Sequence, residues 1–449
     1  MLAGRLPLKV RFGYNAPSSN TDSRSMTMDP KQYVRKIATA ARQAAAALAA
    51  LPAQKRNDAL AACAAAIRDR KDQLQTANEK DIARSDEFGL TDAMVKRLRL
   101  TDKRIESMAT ALEEMAAQVD PVGQAVAAYN RPNGLRVEKR RVPIGVVGII
   151  FESRPNVTSD AGGLCLKAGN ACILRGGKEA FYSNQAIASV LQEGLKAASL
   201  PEAAITVIDD TDRAIVPALA QAEGLIDVII PRGGEGLIRA VVESATIPVI
   251  KHYDGICHVY VHNQADLDMA ESIAMNAKVQ YPAVCNAMET LLIDAAVAGT
   301  FAPRICRAML DADVELRVCE KTRAAVGDLA DKTKPAIEED WTAEYLDLIL
   351  AVKVVDNLEA AIDHINTYSS HHTDAIVTER IAAAEAFVSQ VDSASVMVNA
   401  STRFSDGGEY GLGAEIGIST DRLHARGPMG AEDLTTYKWV VTGAGHVRT

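Results

Sequence analysis

The residue in this sequence best suited to covalent chemistry is a cysteine. In YPAVCNAMET, residues 281 to 290, Cys285 stands between a short aromatic and apolar lead-in and a helix-favouring run. A strand can begin just beyond it, at Glu289 to Ile293. A thiolate so placed can attack an electrophilic carbon, provided a cation or a helix end lowers its pKa. A lone cysteine is more often an inert core residue, however. No histidine lies within four residues of it, so its role depends on what the fold brings to it.

Three further stretches each follow a predicted strand, where a parallel sheet binds its ligands. FESRPNV follows a strand ending at Phe151, RGGKEA one ending near Leu174, and PRGGEG one ending at Ile230. In PRGGEG, Gly233 and Gly234 open a helix. Its free N–H groups and dipole suit a closely approaching anion, although a glycine pair at such a turn also has a purely structural use. RGGKEA places Arg175 and Lys178 at a strand end. They are either a solvated turn or the cations that a nicotinamide cofactor with a 2′-phosphate requires there, where the unphosphorylated form takes a carboxylate.

The elements that must position these residues alternate. Tyr33 to about Arg84 and Thr101 to Ala117 read as helices, two in the first stretch, with a break at Leu51-Pro52 and a Thr101 N-cap. YNRPNGLRVEKRRVP suits a hairpin. From VPIGVVGIIF onward, strands such as ACILR, AITVI, LIDVII, ICHVYV, TLLI, LDLILAVKVV, DAIVT and SVMVN alternate with helical segments. The pattern predicts parallel sheets covered on both faces. There are too many strands for one sheet, so two α/β domains are expected, bordering near KHYDG at 251 to 255. The glycine-rich tail reads as loops and an extended arm.

With 449 residues, 48% hydrophobic and 24% charged, the chain is globular rather than disordered. A net charge of −9 argues against nucleic acid. No apolar run reaches the roughly 20 residues of a membrane span. The seven cysteines contain no CxxC pair, which suits reduced thiols and a cytoplasmic location. Residues 1 to 27 read as a disordered extension, with a transit-like segment, an expression remnant or an upstream start codon as its origins and Met28 as the functional start. His252 and His258 lie six apart and His371 and His372 are adjacent, neither of them a zinc spacing, so no metal is assigned.

Taken together, RVPIGVVGIIFESRPNVTSDAGGLCLKAGNACILRGGKEA, VIIPRGGEGLI, QYPAVCNAMETLLI, RFSDGGEYGLGAEIGIST and HARGPMG resemble the gamma-glutamyl phosphate reductase family. This is a branch of the aldehyde dehydrogenase superfamily, and the resemblance runs from about Met28 to the end. It implies an aldehyde dehydrogenase-like α/β fold: a Rossmann-type NADPH-binding domain at 28–127 and 141–254, a catalytic domain at 255–398, and an oligomerisation arm at 128–140 and 399–449. It implies NADPH-dependent reduction of L-glutamyl 5-phosphate to L-glutamate 5-semialdehyde, a step of proline biosynthesis. Partners implied are a second copy of the chain in a dimer or higher homo-oligomer, and functional coupling to a separate glutamate 5-kinase.

Residue by residue, the resemblance makes Cys285 the nucleophile and Asn156 the holder of the developing oxyanion. Arg175 and Lys178 then contact the cofactor, with Lys178 favouring NADPH by charge, and Glu344 holds the nicotinamide ribose. Arg154 is the candidate for an anionic end of the substrate, or else an ion pair fixing its loop. His372, with Asp374, is a candidate pocket edge. Asp406, Arg426 and the glycines of GEYGLGAEIG are read first as arm and loop geometry. Oxidative superfamily members carry a glutamate, activating water, where this chain reads His252 in KHYDGICH. Its absence leaves a thioester time to meet a hydride, and speaks against a conventional aldehyde oxidiser. Intact Cys285, Asn156 and Glu344 speak against a non-catalytic relative.

Overall fold

The computed structural model describes residues 28 to 448, so the expectation for residues 1 to 27 falls outside the described residues. The helix-favouring start forms three helices rather than two: Pro30–Ala49, Ala53–Asp69 and Lys71–Ile82. Asp29 caps the first by accepting from the N–H groups of Lys31 and Gln32. The break at Leu51-Pro52 is as the proline requires. The second break, at Arg70 with φ −101° and ψ 19°, has neither proline nor glycine to announce it.

Two parallel sheets follow, as the alternation predicts. The first has four strands in the order Ile205–Val207, Ala171–Arg175, Val146–Phe151, Val228–Arg232. The strand Val146–Phe151 is buried along its whole length, which is why it reads as one apolar run without alternation. The second has seven strands in the order Lys334–Pro335, Glu315–Val318, Ile349–Val355, Met288–Asp294, Cys257–Val261, Thr373–Val377, Ser395–Val398. Successive residues of its central strands feed opposite faces: Val259, Val261, Leu291 and Ile293 join one core, Tyr260 and Leu292 another. Residues 251 to 256 carry no strand or helix and connect the two sheets.

A third sheet is antiparallel and stands apart in sequence. Ala125–Asn130 and Arg136–Pro143 form the hairpin, and Thr435–Thr442 pairs with Arg136–Pro143 over its full length. Tyr437, Trp439 and Val441 alternate along this last strand and are each at least half exposed, at 51%, 56% and 56%. The tail therefore divides. Residues 435 to 442 complete the sheet, whereas Asp406, Gly408 and Gly413 to Glu415 turn back onto the cleft described next. Among the described residues, no helix is long and apolar enough to cross a membrane.

Candidate active site

Cys285 lies in the irregular link between helix Leu267–Val279 and strand Met288–Asp294, and is half-buried. Neighbouring chain segments fix this link. Thr402 Oγ1 donates to the Asn286 carbonyl at 2.7 Å, and Asn286 Nδ2 donates to the Ser405 carbonyl at 2.9 Å. The Cys257 thiol donates to the Cys285 carbonyl at 3.2 Å. On the other side Gly255 is pressed against the cysteine, for a Cβ there would lie 2.0 Å from the Cys285 carbonyl oxygen and 2.4 Å from its Cα. Those are backbone atoms that cannot rotate aside. Gly255→Ala is therefore expected to displace the thiol, lowering activity by about 100-fold and stability by about 1–3 kcal/mol. Turnover and thermal unfolding of the purified variant check this.

Two histidines remote in sequence complete the surroundings of the thiol. One ligating atom each from His252, Cys285 and His372 lies within 4.8 Å of the other two, a cluster that spacing along the chain could not reveal. The Nδ1–H of His252 donates to the Ile418 carbonyl at 2.9 Å. A carbonyl only accepts, so in the neutral ring Nε2 is left as an acceptor. His372 is fully buried, its Nδ1 is 2.9 Å from Thr373 Oγ1, and its Nε2 has no partner. Burial pulls its pKa down to about 4 against the pull of Glu415, Glu344 and Asp374, so the ring is neutral at pH 7. The two residues expected at a pocket edge are placed differently. His372 sits beside the thiol, and Asp374 is a buried anchor accepting from the N–H and Nδ1 of His258 at 2.9 and 2.8 Å.

A cleft of about 960 Å³ opens beside Val284, lined among others by Arg97, Arg154, Asn156, Arg232 and Tyr281. Arg154 opens into it yet is walled closely. Desolvation, then Arg232 and Arg97, pull its pKa below the ordinary arginine value, while Cys285 and Tyr281 act in the opposite sense. Arg97 is held by the Ala283 carbonyl at 2.8 Å and the Tyr281 hydroxyl at 3.3 Å, and Arg232 by Glu415 at 3.4 Å. Arg154 has no carboxylate partner among the described residues. The reading of it as a loop-fixing ion pair is thus not what the structure shows: Arg97, Arg154 and Arg232 line one cleft, and Arg154 stands there without an ion pair among the described residues.

Asn156 immediately precedes helix Val157–Lys167 and faces the same cleft. Its Nδ2 donates to Asp160 Oδ2 at 2.8 Å, leaving one amide hydrogen for a ligand. Burial pushes the Asp160 carboxyl up to about 6. Asp406 also faces the cleft, whereas Arg426 pairs with Asp392 at 2.7 Å and is structural.

The expected cofactor residues fall at the ends of the four-stranded sheet and beyond. Arg175 ends its strand and is nearly buried. Its Nη atoms donate to the Gly176 and Thr211 carbonyls at 3.2 and 3.3 Å, and its Nε has no partner. Lys178 is exposed in the turn that follows. Glu344 accepts from the N–H of Gly255 at 2.9 Å, which ties it to the residue that presses on Cys285. The Gly233–Gly234 turn differs from expectation in its occupant. The Gly234 N–H donates to Glu152 at 3.2 Å, so the anion at this helix start is the chain's own carboxylate. Burial and neighbouring Glu179 raise its pKa. Any other anion approaching this helix start has to displace it.

Sequence reasoning missed Arg97, Gly255 and the meeting of His252 with His372. Arg232 was legible, since it stands at a strand end inside the quoted PRGGEG; Arg97 lies on a helix with nothing local to mark it.

A parallel sheet with glycine and cationic turns at its strand ends, a second sheet carrying a thiol in a clamped turn, and a cleft lined from both make the frame of an enzyme. The model of the aldehyde dehydrogenase family matches residues 11 to 334, and the chain belongs to that family as an oxidoreductase. Within it the chain falls among the gamma-glutamyl phosphate reductases. It is 53% identical to gamma-glutamyl phosphate reductase of Moorella thermoacetica, over 91% of this chain and 97% of that protein. The crystal structure of the Thermotoga maritima gamma-glutamyl phosphate reductase superposes with a TM-score of 0.89 at 45% identity, covering 94% of this chain and all of the other. That of the Saccharomyces cerevisiae protein gives 0.51 at 32% identity, covering 93% and 98%.

Proposed function

We propose that this protein reduces L-glutamyl 5-phosphate to L-glutamate 5-semialdehyde through a thioester on Cys285, with NADPH as reductant. The observation that carries the reading is the unpaired Arg154, which feels the charge of Cys285 and shares its cleft with Arg97 and Arg232. An acyl phosphate brings a dianionic leaving group to within a few ångströms of the attacked carbon, and guanidiniums match phosphate oxygens in forked pairs. A plain aldehyde offers no anion there.

The steps follow from the residues. Cys285, as thiolate, attacks the acyl carbon, with Arg154 and His252 among its surroundings. The free Nδ2–H of Asn156 is the side-chain donor for the developing oxyanion. Phosphate departs into the arginine cluster, which neutralises its charge as the C–O bond breaks. A nicotinamide cofactor supplies, when bound, the hydride that reduces the thioester. His252, standing where oxidative relatives carry a glutamate, leaves the thioester without a carboxylate base for water, and collapse of the reduced adduct returns the thiol.

The cofactor fit rests on the unpartnered Arg175 Nε, the exposed Lys178 and the Glu344 carboxylate. For Lys178→Glu, the preference for NADPH over NADH is expected to fall about 10- to 100-fold, read as the ratio of kcat/KM for the two cofactors. An unchanged ratio would remove Lys178 from the 2′-phosphate site. A cytoplasmic homo-oligomer, joined through the sheet of Ala125–Asn130, Arg136–Pro143 and Thr435–Thr442 and fed by a separate glutamate 5-kinase, completes the proposal.

The direct test is intact-mass analysis after brief exposure to enzymatically generated acyl phosphate without cofactor. A glutamyl adduct on Cys285 with release of one phosphate per site is expected; phosphate release without an adduct would count against the thioester.

A further inference from the structure

We infer that Cys285, His252 and His372 form a three-ligand Zn²⁺ site, so that zinc reversibly occupies the thiol. The ligand types are right, since zinc takes thiolate sulfur and imidazole nitrogen together. One donor atom of each residue already lies within 4.8 Å of the others. Tetrahedral coordination, with bonds of about 2.0–2.3 Å, needs donors about 3.5 Å apart, so the three must close by about 1 Å. Cys285 and His252 are only half-buried and sit in irregular segments, which leaves them room to do so.

A second observation points to a ligand independently of the cluster. His372 Nε2 is a fully buried nitrogen with no hydrogen-bond partner among the described residues, and a buried polar atom left so costs free energy. The opposite nitrogens are already engaged, His252 Nδ1 with the Ile418 carbonyl at 2.9 Å and His372 Nδ1 with Thr373 Oγ1 at 2.9 Å. That is the outer support which orients imidazoles bound to zinc. Binding is balanced by one proton: the Cys285 S–H bond breaks, the proton leaves to solvent, and the sulfur bonds to the metal.

The consequence for turnover rests on the proposed role of Cys285 as nucleophile, but the binding does not. The test therefore reads binding without substrate, on the full-length protein with Co²⁺ as spectroscopic probe and Zn²⁺ as competitor. One equivalent of Co²⁺ is expected to give the intense near-ultraviolet sulfur-to-cobalt band, abolished by one equivalent of Zn²⁺. The band should be absent in Cys285→Ala, and Zn²⁺ affinity should fall at least about 100-fold in His372→Gln. Should His372→Gln not fold, His252→Gln and Cys285→Ala carry the same comparison. No band in the parent, or an equal band in Cys285→Ala, would overturn the site. Zinc inhibition reversed by a chelator is the expected activity readout. A normal band without inhibition would leave the site standing and count against Cys285 as the nucleophile.

Discussion

Cys285→Ala is expected to lower kcat for reduction of the acyl phosphate by about 10⁴-fold or more, the scale lost when a covalent nucleophile is removed. The variant should fold normally. Cys285 is held by backbone contacts, from Gly255 on one side and from the Cys257 thiol to its carbonyl on the other, and these do not use its sulfur. Turnover, with thermal unfolding as the control for folding, checks the result. Residual activity within about tenfold of the parent would mean that the thiol is a bystander and hydride reaches the acyl phosphate directly.

Arg154→Ala is expected to reduce kcat/KM for the acyl phosphate by about 10²–10³-fold, the loss typical of a donor aimed at charge that develops in the transition state. In the reverse direction it should raise the KM for phosphate while leaving cofactor affinity unchanged. Stability should not fall. Arg154 has no ion pair to lose, and Arg232 and Arg97 disfavour its charge, so its removal relieves repulsion in the empty cleft. Arg154→Lys separates charge from shape: it should recover part of the rate through charge and miss the rest through the lost fork. A variant that binds phosphate normally but loses the cofactor would move Arg154 to the other half of the site.

The fold was legible in the sequence to the extent that burial writes a pattern. Val146–Phe151 and Ala171–Arg175, buried throughout, show as bare apolar runs, and the glycine and charged turns after them mark the ends where ligands bind. The third N-terminal helix was missed because the chain turns at Arg70 through its backbone angles, with no proline or glycine to mark the place. Cys285 and Asn156 were singled out through long joint motifs, not through spacing, for neither carries a local signature. What surrounds the thiol was hidden for a plainer reason. His252 and His372 stand 120 positions apart and on opposite sides of Cys285 in the chain, and adjacent strands of one parallel sheet help bring such distant segments together. Glu152 at the Gly234 N–H is a different case, because the sequence showed a good anion site and could not show that the chain fills it itself.

Arg154 stands without a carboxylate ion pair in a cleft that Arg97 and Arg232 also line. In a protein of net charge −9, such a local concentration of guanidinium groups selects anions by position, not by overall attraction.

The most direct measurement of the central claim is the reverse reaction, following NADPH formation from glutamate 5-semialdehyde and NADP⁺ with and without inorganic phosphate. Turnover that requires phosphate and is lost in Cys285→Ala is expected. Turnover independent of phosphate would show water accepting the acyl group despite His252, and would contradict the assignment of this site to acyl phosphate chemistry.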